Sequence, residues 1–379
     1  MTRILIISSF PPPNDGIGEH TRNLALAWTA LGHDVLIMAP GRGTDSSSLA
    51  DGGLRISRTI RVLSQVRANK CLISFDPDLV FCQFAISGLT TSLFSVIRLC
   101  RLARKVGAKI ALGFHESSRE LALLGALGSI LIRSAAKTSD LIFAFSSGEL
   151  TALKSLHLGR QLVRVPLGTP EVKSPTGEDL ARIRRKYSIL DIPSVLSIGF
   201  IHADKGVDRL IEVAQRVTQQ VPHVKFIIAG CPRRRRGVFR PMGFVDTRHF
   251  KSLQRRARLV GGSVEIEFIG FISEPDLIPL LSEVTVIAMP YRKITQSAIA
   301  SFACAASAPV VATDLVGFRE VFGLGAQYVD PNDFEQFSSA LVEVLIDHSL
   351  RDSMKQELRD RSQKESFAAV ASAILEAAF

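Results

Sequence analysis

Cysteine is scarce and scattered. The five thiols (Cys71, Cys82, Cys100, Cys231 and Cys304) show no CxxC spacing, which argues against a zinc site or a disulfide framework and fits reduced thiols in a cytoplasmic protein. Tryptophan occurs once and tyrosine three times. Neither interleaves with the basic residues, so the stacking platforms of an RNA or single-stranded DNA binder are missing and no nucleic-acid partner is expected. No apolar run approaches the roughly 20 residues of a spanning helix. The first apolar run stops at Ser8-Ser9, before a proline triplet, and is too short for a signal-peptide core. Asp76-Pro-Asp78 has the outline of a metal-binding carboxylate pair. Its central proline, just before a strand, instead suggests a helix-to-strand turn, and no metal is expected.

What is present is an ordinary globular composition. The 379 residues are 46% hydrophobic and 22% charged, enough chain for two or three domains at roughly 100–200 residues each. The formal net charge of +10 attracts phosphates, whether of a nucleotide, a nucleic acid or a lipid headgroup.

Strand signals alternate with helical ones. Ile4-Leu-Ile-Ile-Ser8 is a β-branched run, followed by a Pro/Gly loop and a helical pattern over Glu19–Leu31. Strands at Val35, Leu79, Ile110 and Leu141 follow. After a charged, proline-containing stretch at 171–193, a second series runs through Val195, Phe226, Ile266, Val284 and Val310. The fold class is therefore α/β, with two doubly wound Rossmann-like domains at 1–170 and 194–362 joined by a linker at 171–193. Two such domains facing each other would place a cleft between two rows of strand C-termini, where these sheets bind ligands.

Three points suit phosphate. Gly16-Ile-Gly18 opens the first helix, where free N–H groups and the positive dipole end gather. Thr21 stands where the dinucleotide fingerprint needs its third glycine, and no acidic residue closes the second strand, which argues against NAD. Lys205-Gly206 follows the first strand of the second series and can neutralise a diphosphate. Thr295-Gln-Ser-Ala298 begins an Ala-rich helix whose N-terminus can do the same. Each has a plain alternative: a strand-to-helix turn, a solvated lysine and a helix cap.

These residues, with Leu31-Gly-His-Asp-Val35, Pro77-Asp-Leu-Val80, Ser146-Ser-Gly-Glu149, Val165-Pro-Leu-Gly168 and the run Pro309 to Glu320, resemble the GT-B-fold retaining glycosyltransferases of family four. The resemblance implies a metal-independent, cofactor-free hexosyltransferase that uses a nucleotide diphosphate sugar (UDP- or GDP-sugar) as co-substrate. The acceptor would be a saccharide or a lipid-linked sugar in cell-envelope or polysaccharide synthesis. It implies that 1–170 binds the acceptor, that 194–362 binds the donor, and that the closing helix, about 363–379, packs back on the first domain. It places His115 at the catalytic floor and Lys205 on the diphosphate. Gly16, Gly18, Gly199, His202, Gly230, Phe271, Ile272, Thr295, Gln296, Ser297 and Ala298 complete the donor contacts. Two departures stand out: the family's paired glutamates fall at Ile294 and Phe302, and the arginine expected before Lys205 is Phe200. They favour the alternative of a silent scaffold that binds nucleotide or a partner glycosyltransferase.

Arg98, Arg101, Arg104 and Lys105 recur at helical spacing, and Leu121–Ile132 is mostly apolar. A peripheral contact with anionic membrane, at the inner face, is one reading of this pair. A core helix with a solvated basic face is the other. Arg233-Arg-Arg-Arg236 is expected to be a solvated loop.

Overall fold

The computed structural model describes residues 1–10, 16–40, 48–50, 53–60, 65–84, 93–115, 117–189, 192–232, 240–262, 264–294 and 297–379. They form two compact units: Met1–Gly168 with Glu365–Phe379, and Thr169–Lys364.

The first unit runs β1 (Arg3–Ile7), α1 (Gly16–Ala30), β2 (Asp34–Pro40), β3 (Ser48–Ala50), β4 (Leu54–Ile60), α2 (Val66–Phe75), β5 (Leu79–Phe84), α3 (Leu93–Lys105), β6 (Lys109–Phe114), α4 (Ser117–Ala136), β7 (Leu141–Ala144), α5 (Ser147–Lys154) and β8 (Gln161–Arg164). Among the described residues its sheet has the order β3-β4-β2-β1-β5-β6-β7-β8, parallel except for β3. β1 is central because its side chains are apolar on both faces. Ile4 and Ile6 pack with α1, whereas Leu5 and Ile7 pack with α2 to α5, the two-residue alternation of a strand.

The second unit runs α6 (Gly177–Lys186), β9 (Ser194–Ile198), α7 (Val207–Gln220), β10 (Lys225–Ala229), α8 (Arg240–Val260), β11 (Glu265–Gly270), α9 (Glu274–Glu283), β12 (Val286–Met289), α10 (Ala298–Ala305), β13 (Val310–Thr313), α11 (Val316–Phe322), β14 (Ala326–Val329), α12 (Phe334–Ile346) and α13 (His348–Lys364). Its described strands are all parallel, in the order β11-β10-β9-β12-β13-β14. The stretch 171–193, expected as a linker, carries α6. A capping box starts that helix: Asp179 N–H donates to Thr176 Oγ1 at 3.2 Å, and Thr176 N–H donates to Asp179 Oδ2 at 3.0 Å. Arg182 and Lys186 then hold the buried Asp276 of α9. Burial alone would raise the Asp276 carboxyl, but Lys186, Arg182, Ser273 and Tyr187 overcome it and hold it well below the usual carboxylate range.

The last helix, α14 (Phe367–Ala378), returns to the first unit. Phe367, Val370, Ala371 and Ile374 are buried beside α1. The fully buried Trp28 donates Nε1–H to the Ala371 carbonyl at 2.9 Å, and Lys109 Nζ donates to the Ala378 carbonyl at 2.7 Å. No helix among the described residues is long and apolar enough to cross a membrane. None of the five cysteines is in a disulfide.

Candidate functional site

In the second unit the strand order reverses between β9 and β12, and the strand C-terminal ends at such a reversal are where open α/β sheets bind ligands. β9 leads through Gly199 to His202, the short 3-10 turn Ala203–Lys205 and Gly206. β12 leads to Pro290, Tyr291 and Arg292. The two segments meet backbone to backbone. Gly206 has φ 64°, and a Cβ there would lie 1.8 Å from the Pro290 carbonyl oxygen, so only glycine fits. Gly230, after β10, is equally constrained: its Cβ would lie 1.9 Å from the Gly199 oxygen.

This contact carries Lys205 Nζ to 3.8 Å from the centroid of the Tyr291 ring, a cation–π position. Tyr291 is buried, its edge set on Phe318, and its Oη has no hydrogen-bond partner among the described residues. Arg292 clamps the turn. Its Nη1 donates to the Ala203 carbonyl at 2.6 Å, its backbone N–H donates to the Asp204 carbonyl at 2.8 Å, and its guanidinium grips Asp208 at 2.8 and 2.6 Å. Burial works to raise the Asp208 carboxyl, and the Arg292 hydrogen bonds overcome it and lower it. His202 caps the 3-10 turn, with Nδ1 3.8 Å from Asp204.

Ser297 caps α10, its Oγ accepting from Ala300 N–H at 3.4 Å, and Ala298 follows, exposed in the first turn. Thr295 and Gln296 lie outside the described residues. Phe271 is exposed, whereas Ile272 is buried in the apolar core. Ile294 and Phe302 are half-buried against that same core.

In the first unit the reversal falls between β1 and β5. α1 begins at Gly16, so Gly16 and Gly18 both lie in its first turn. The turn is tied to β1 through Ser8 Oγ, 2.6 Å from Thr21 Oγ1. His20, Gln83 and His115 form a buried row. Gln83 Nε2 lies 2.8 Å from His20 Nδ1, and Gln83 Oε1 hydrogen-bonds His115 Nε2. His115 stacks on Phe145 at 4.5 Å, and the His20 ring meets the same phenylalanine edge-on. Burial pushes His20 down to about 4, with the Leu167 carbonyl pulling weakly the other way. The Gln83 amide nitrogen facing His20 Nδ1 can only donate, which leaves the neutral ring's proton on His20 Nε2. His20 Nδ1 then accepts from the Gln83 amide, whose oxygen accepts His115 Nε2–H. In neutral His115 this leaves Nδ1 as the lone-pair nitrogen. The start of α4 is held by Glu149, which accepts from Ser117 N–H at 2.7 Å and from Ser118 Oγ at 2.8 Å.

Two family descriptions match this chain: Glycosyltransferase Family 4 over residues 14–170 and Glycosyl transferases group 1 over residues 181–361. The chain belongs to glycosyltransferase family four. The family-four chain is similar to a curated α-D-kanosaminyltransferase of Streptomyces kanamyceticus, 26% identical over 178 residues, 46% of this chain. The match spans 42% of that relative's length. HepE of Anabaena, solved with UDP, is similar in fold, with a TM-score of 0.74, 16% identity and coverage of 100% of this chain and 99% of its own. So is a sucrose-phosphate synthase of Thermosynechococcus elongatus, with a TM-score of 0.75, 18% identity and coverage of 100% and 98%. These likenesses establish the GT-B fold, two Rossmann-like domains.

In the family-four chain the Asp76-Pro-Asp78 pair is a turn. Asp76 takes the left-handed C-cap of α2, and both carboxylates face Arg3, with Asp78 Oδ2 accepting Arg3 N–H at 2.7 Å. The Arg233–Arg236 run and Glu116 lie outside the described residues. Sequence reasoning passed over His20, Gln83, Tyr291 and Arg292. Gln83 had a signal: it is the one polar side chain in the buried strand Leu79–Phe84, and burying an amide is costly without partners.

Proposed function

We propose that the chain is a retaining glycosyltransferase that moves a hexose from a UDP- or GDP-sugar to a saccharide or lipid-linked acceptor in cell-envelope or polysaccharide synthesis. The second unit holds the donor and the first receives the acceptor. The observation that carries this reading is the Lys205 ammonium at the β9–β12 reversal, fixed over Tyr291 and backed by the Arg292 clamp. Bond breaking at the anomeric carbon leaves negative charge on the diphosphate. Lys205 and the N–H groups opening α10 supply positive charge for it without a metal ion. The bond from the anomeric carbon to the phosphate oxygen breaks, the bond to the acceptor oxygen forms on the same face, and the acceptor proton passes to the departing phosphate. HepE of Anabaena was also solved with UDP-glucose, which makes UDP-sugars the first donors to try.

Lys205→Ala should abolish transfer while leaving the fold and the melting temperature intact; full turnover in that variant would end the assignment. A thermal-shift panel of UDP, GDP, ADP and their sugars identifies the donor, because selective binding raises apparent stability. A silent nucleotide-binding scaffold is the second reading, favoured by Ile294 and Phe302, which pack into the core where the family carries acids. Binding without turnover on every donor would select it.

A further inference from the structure

α4 (Ser117–Ala136) carries an exposed apolar stretch. It breaks at Gly125, with φ 51° and ψ −124°, and all six residues from Ala122 to Leu127 are apolar or glycine and exposed. Leu123 is 71% exposed, Leu127 56% and Ile130 60%, and Phe94 in the first turn of the neighbouring α3 is 78% exposed. A soluble surface seldom gathers large aliphatic and aromatic side chains in this way without a partner. α3 and α4 share one apolar cluster on the same face of the sheet. Each follows a strand, so both begin at the strand C-terminal edge. Phe94 and the leucines therefore lie toward the end of the unit that carries His115.

The charge on this pair of helices is one-sided. Residues 93–139 hold eight Arg and Lys against two Glu, six of the chain's ten surplus positive charges. Arg98, Arg101 and Lys105 are exposed along α3. Arg133 and Lys137 continue the exposed line of Leu127 and Ile130 at helical spacing, and Arg160 donates to the Lys137 carbonyl at 3.3 Å. Of the two acids, Glu120 is buried and Glu116 lies outside the described residues. Asp140, beyond α4, is taken by Arg104 at 2.5 Å. An apolar stripe flanked by cations is the complement of a bilayer with anionic headgroups: the leucines enter the acyl boundary and the arginines meet the phosphates.

We propose that the outer face of α3 and α4 docks the first unit on an anionic lipid bilayer, with Leu123, Leu127, Ile130 and Phe94 inserted and Arg98, Arg101, Arg133 and Lys137 against headgroups. Docking needs no donor and no transfer chemistry, so it stands or falls separately from the proposed reaction. The full chain is tested by co-sedimentation with phosphatidylglycerol–phosphatidylcholine vesicles, with pure phosphatidylcholine vesicles beside them. It should bind the anionic vesicles, and binding should weaken as salt rises. The double variant Leu123→Ser/Leu127→Ser, at exposed positions, should keep its melting temperature and lose about tenfold or more in partition. Leu259→Ser, equally exposed on α8 of the second unit, should change nothing. Arg98→Glu/Arg101→Glu should lose the preference for anionic lipid. Absence of vesicle binding would overturn the proposal, as would equal binding to both vesicles or undiminished binding by the leucine variant. A dimer in solution that Leu123→Ser/Leu127→Ser dissociates, without vesicle binding, would assign the face to a second copy instead.

Discussion

Replacing His20 by glutamine tests the buried row of the first unit. His20 is 5% exposed, and burial lowers its pKa from 6.5 to about 4. The native state therefore keeps the ring neutral in a range where the unfolded chain takes up a proton. Stability from this source is complete above the unfolded value and drains away as pH falls from 6.5 toward 4. Between about pH 7 and about pH 4.5 the loss from this one residue works out at about 2 kcal/mol, from 1.36 kcal/mol per pKa unit. His20→Gln is neutral throughout and lacks that slope. Urea unfolding of both proteins across the range should show their stability gap moving by about 2 kcal/mol in favour of the glutamine variant on acidification. Proton NMR gives the direct reading: the His20 ring should stay neutral until close to pH 4. When it does protonate, Nδ1 presents a proton to the Gln83 amide donor, the amide must turn, and His115 loses its acceptor. The His115 signals should therefore shift in the same step. A His20 ring that titrates near 6.5, or parallel pH slopes for the two proteins, would refute the reasoning.

Three further outcomes follow from contacts described above. Gly206→Ala forces a Cβ into the Pro290 carbonyl and should destabilise the second unit by about 2–5 kcal/mol, read as a lowered unfolding midpoint; an unchanged midpoint would mean that the two segments are not in contact. Asp208→Asn should loosen the Arg292 grip on the Lys205 turn and lower turnover more than donor affinity; wild-type kinetics would remove the clamp from the argument. Asp276→Asn should weaken the protein at neutral pH, because it removes the carboxylate that Lys186 and Arg182 hold. The gap to the wild type should close as pH falls below the ordinary carboxylate range, because a depressed carboxylate contributes only while it is ionised; a gap that persists in acid would point to packing instead.

The central strands were legible because parallel strands buried on both faces are written as unbroken apolar runs, as in Ile4–Ile7 and Val195–Ile198. The strands that escaped notice lie toward the sheet margins. β8 reads Gln-Leu-Val-Arg and β4 Leu-Arg-Ile-Ser-Arg-Thr-Ile, where polar residues on the less covered positions dilute the signal. α6 was hidden for another reason: its sequence is rich in charge, and its stability comes from a capping box and from Asp276, ninety or more residues away in the chain. The site divides in the same way. Lys205 and Gly206 could be singled out because a glycine beside a lysine after a strand is a local pattern. His20, Gln83 and His115 act as a set only once β5, β6 and α1 converge, and no spacing along the chain announces that. Ser297 showed itself as a cap, whereas the positions of Ile294 and Phe302 in the core required the packed second unit.

The return of α14 to the first unit has a consequence for how the protein is made. Residues 367–378 supply the surface on which Trp28 closes, and they leave the ribosome after every residue of the second unit. Until then the amino-terminal half carries an open apolar flank through most of translation. Removing that helix should therefore injure the portion of the protein synthesised first.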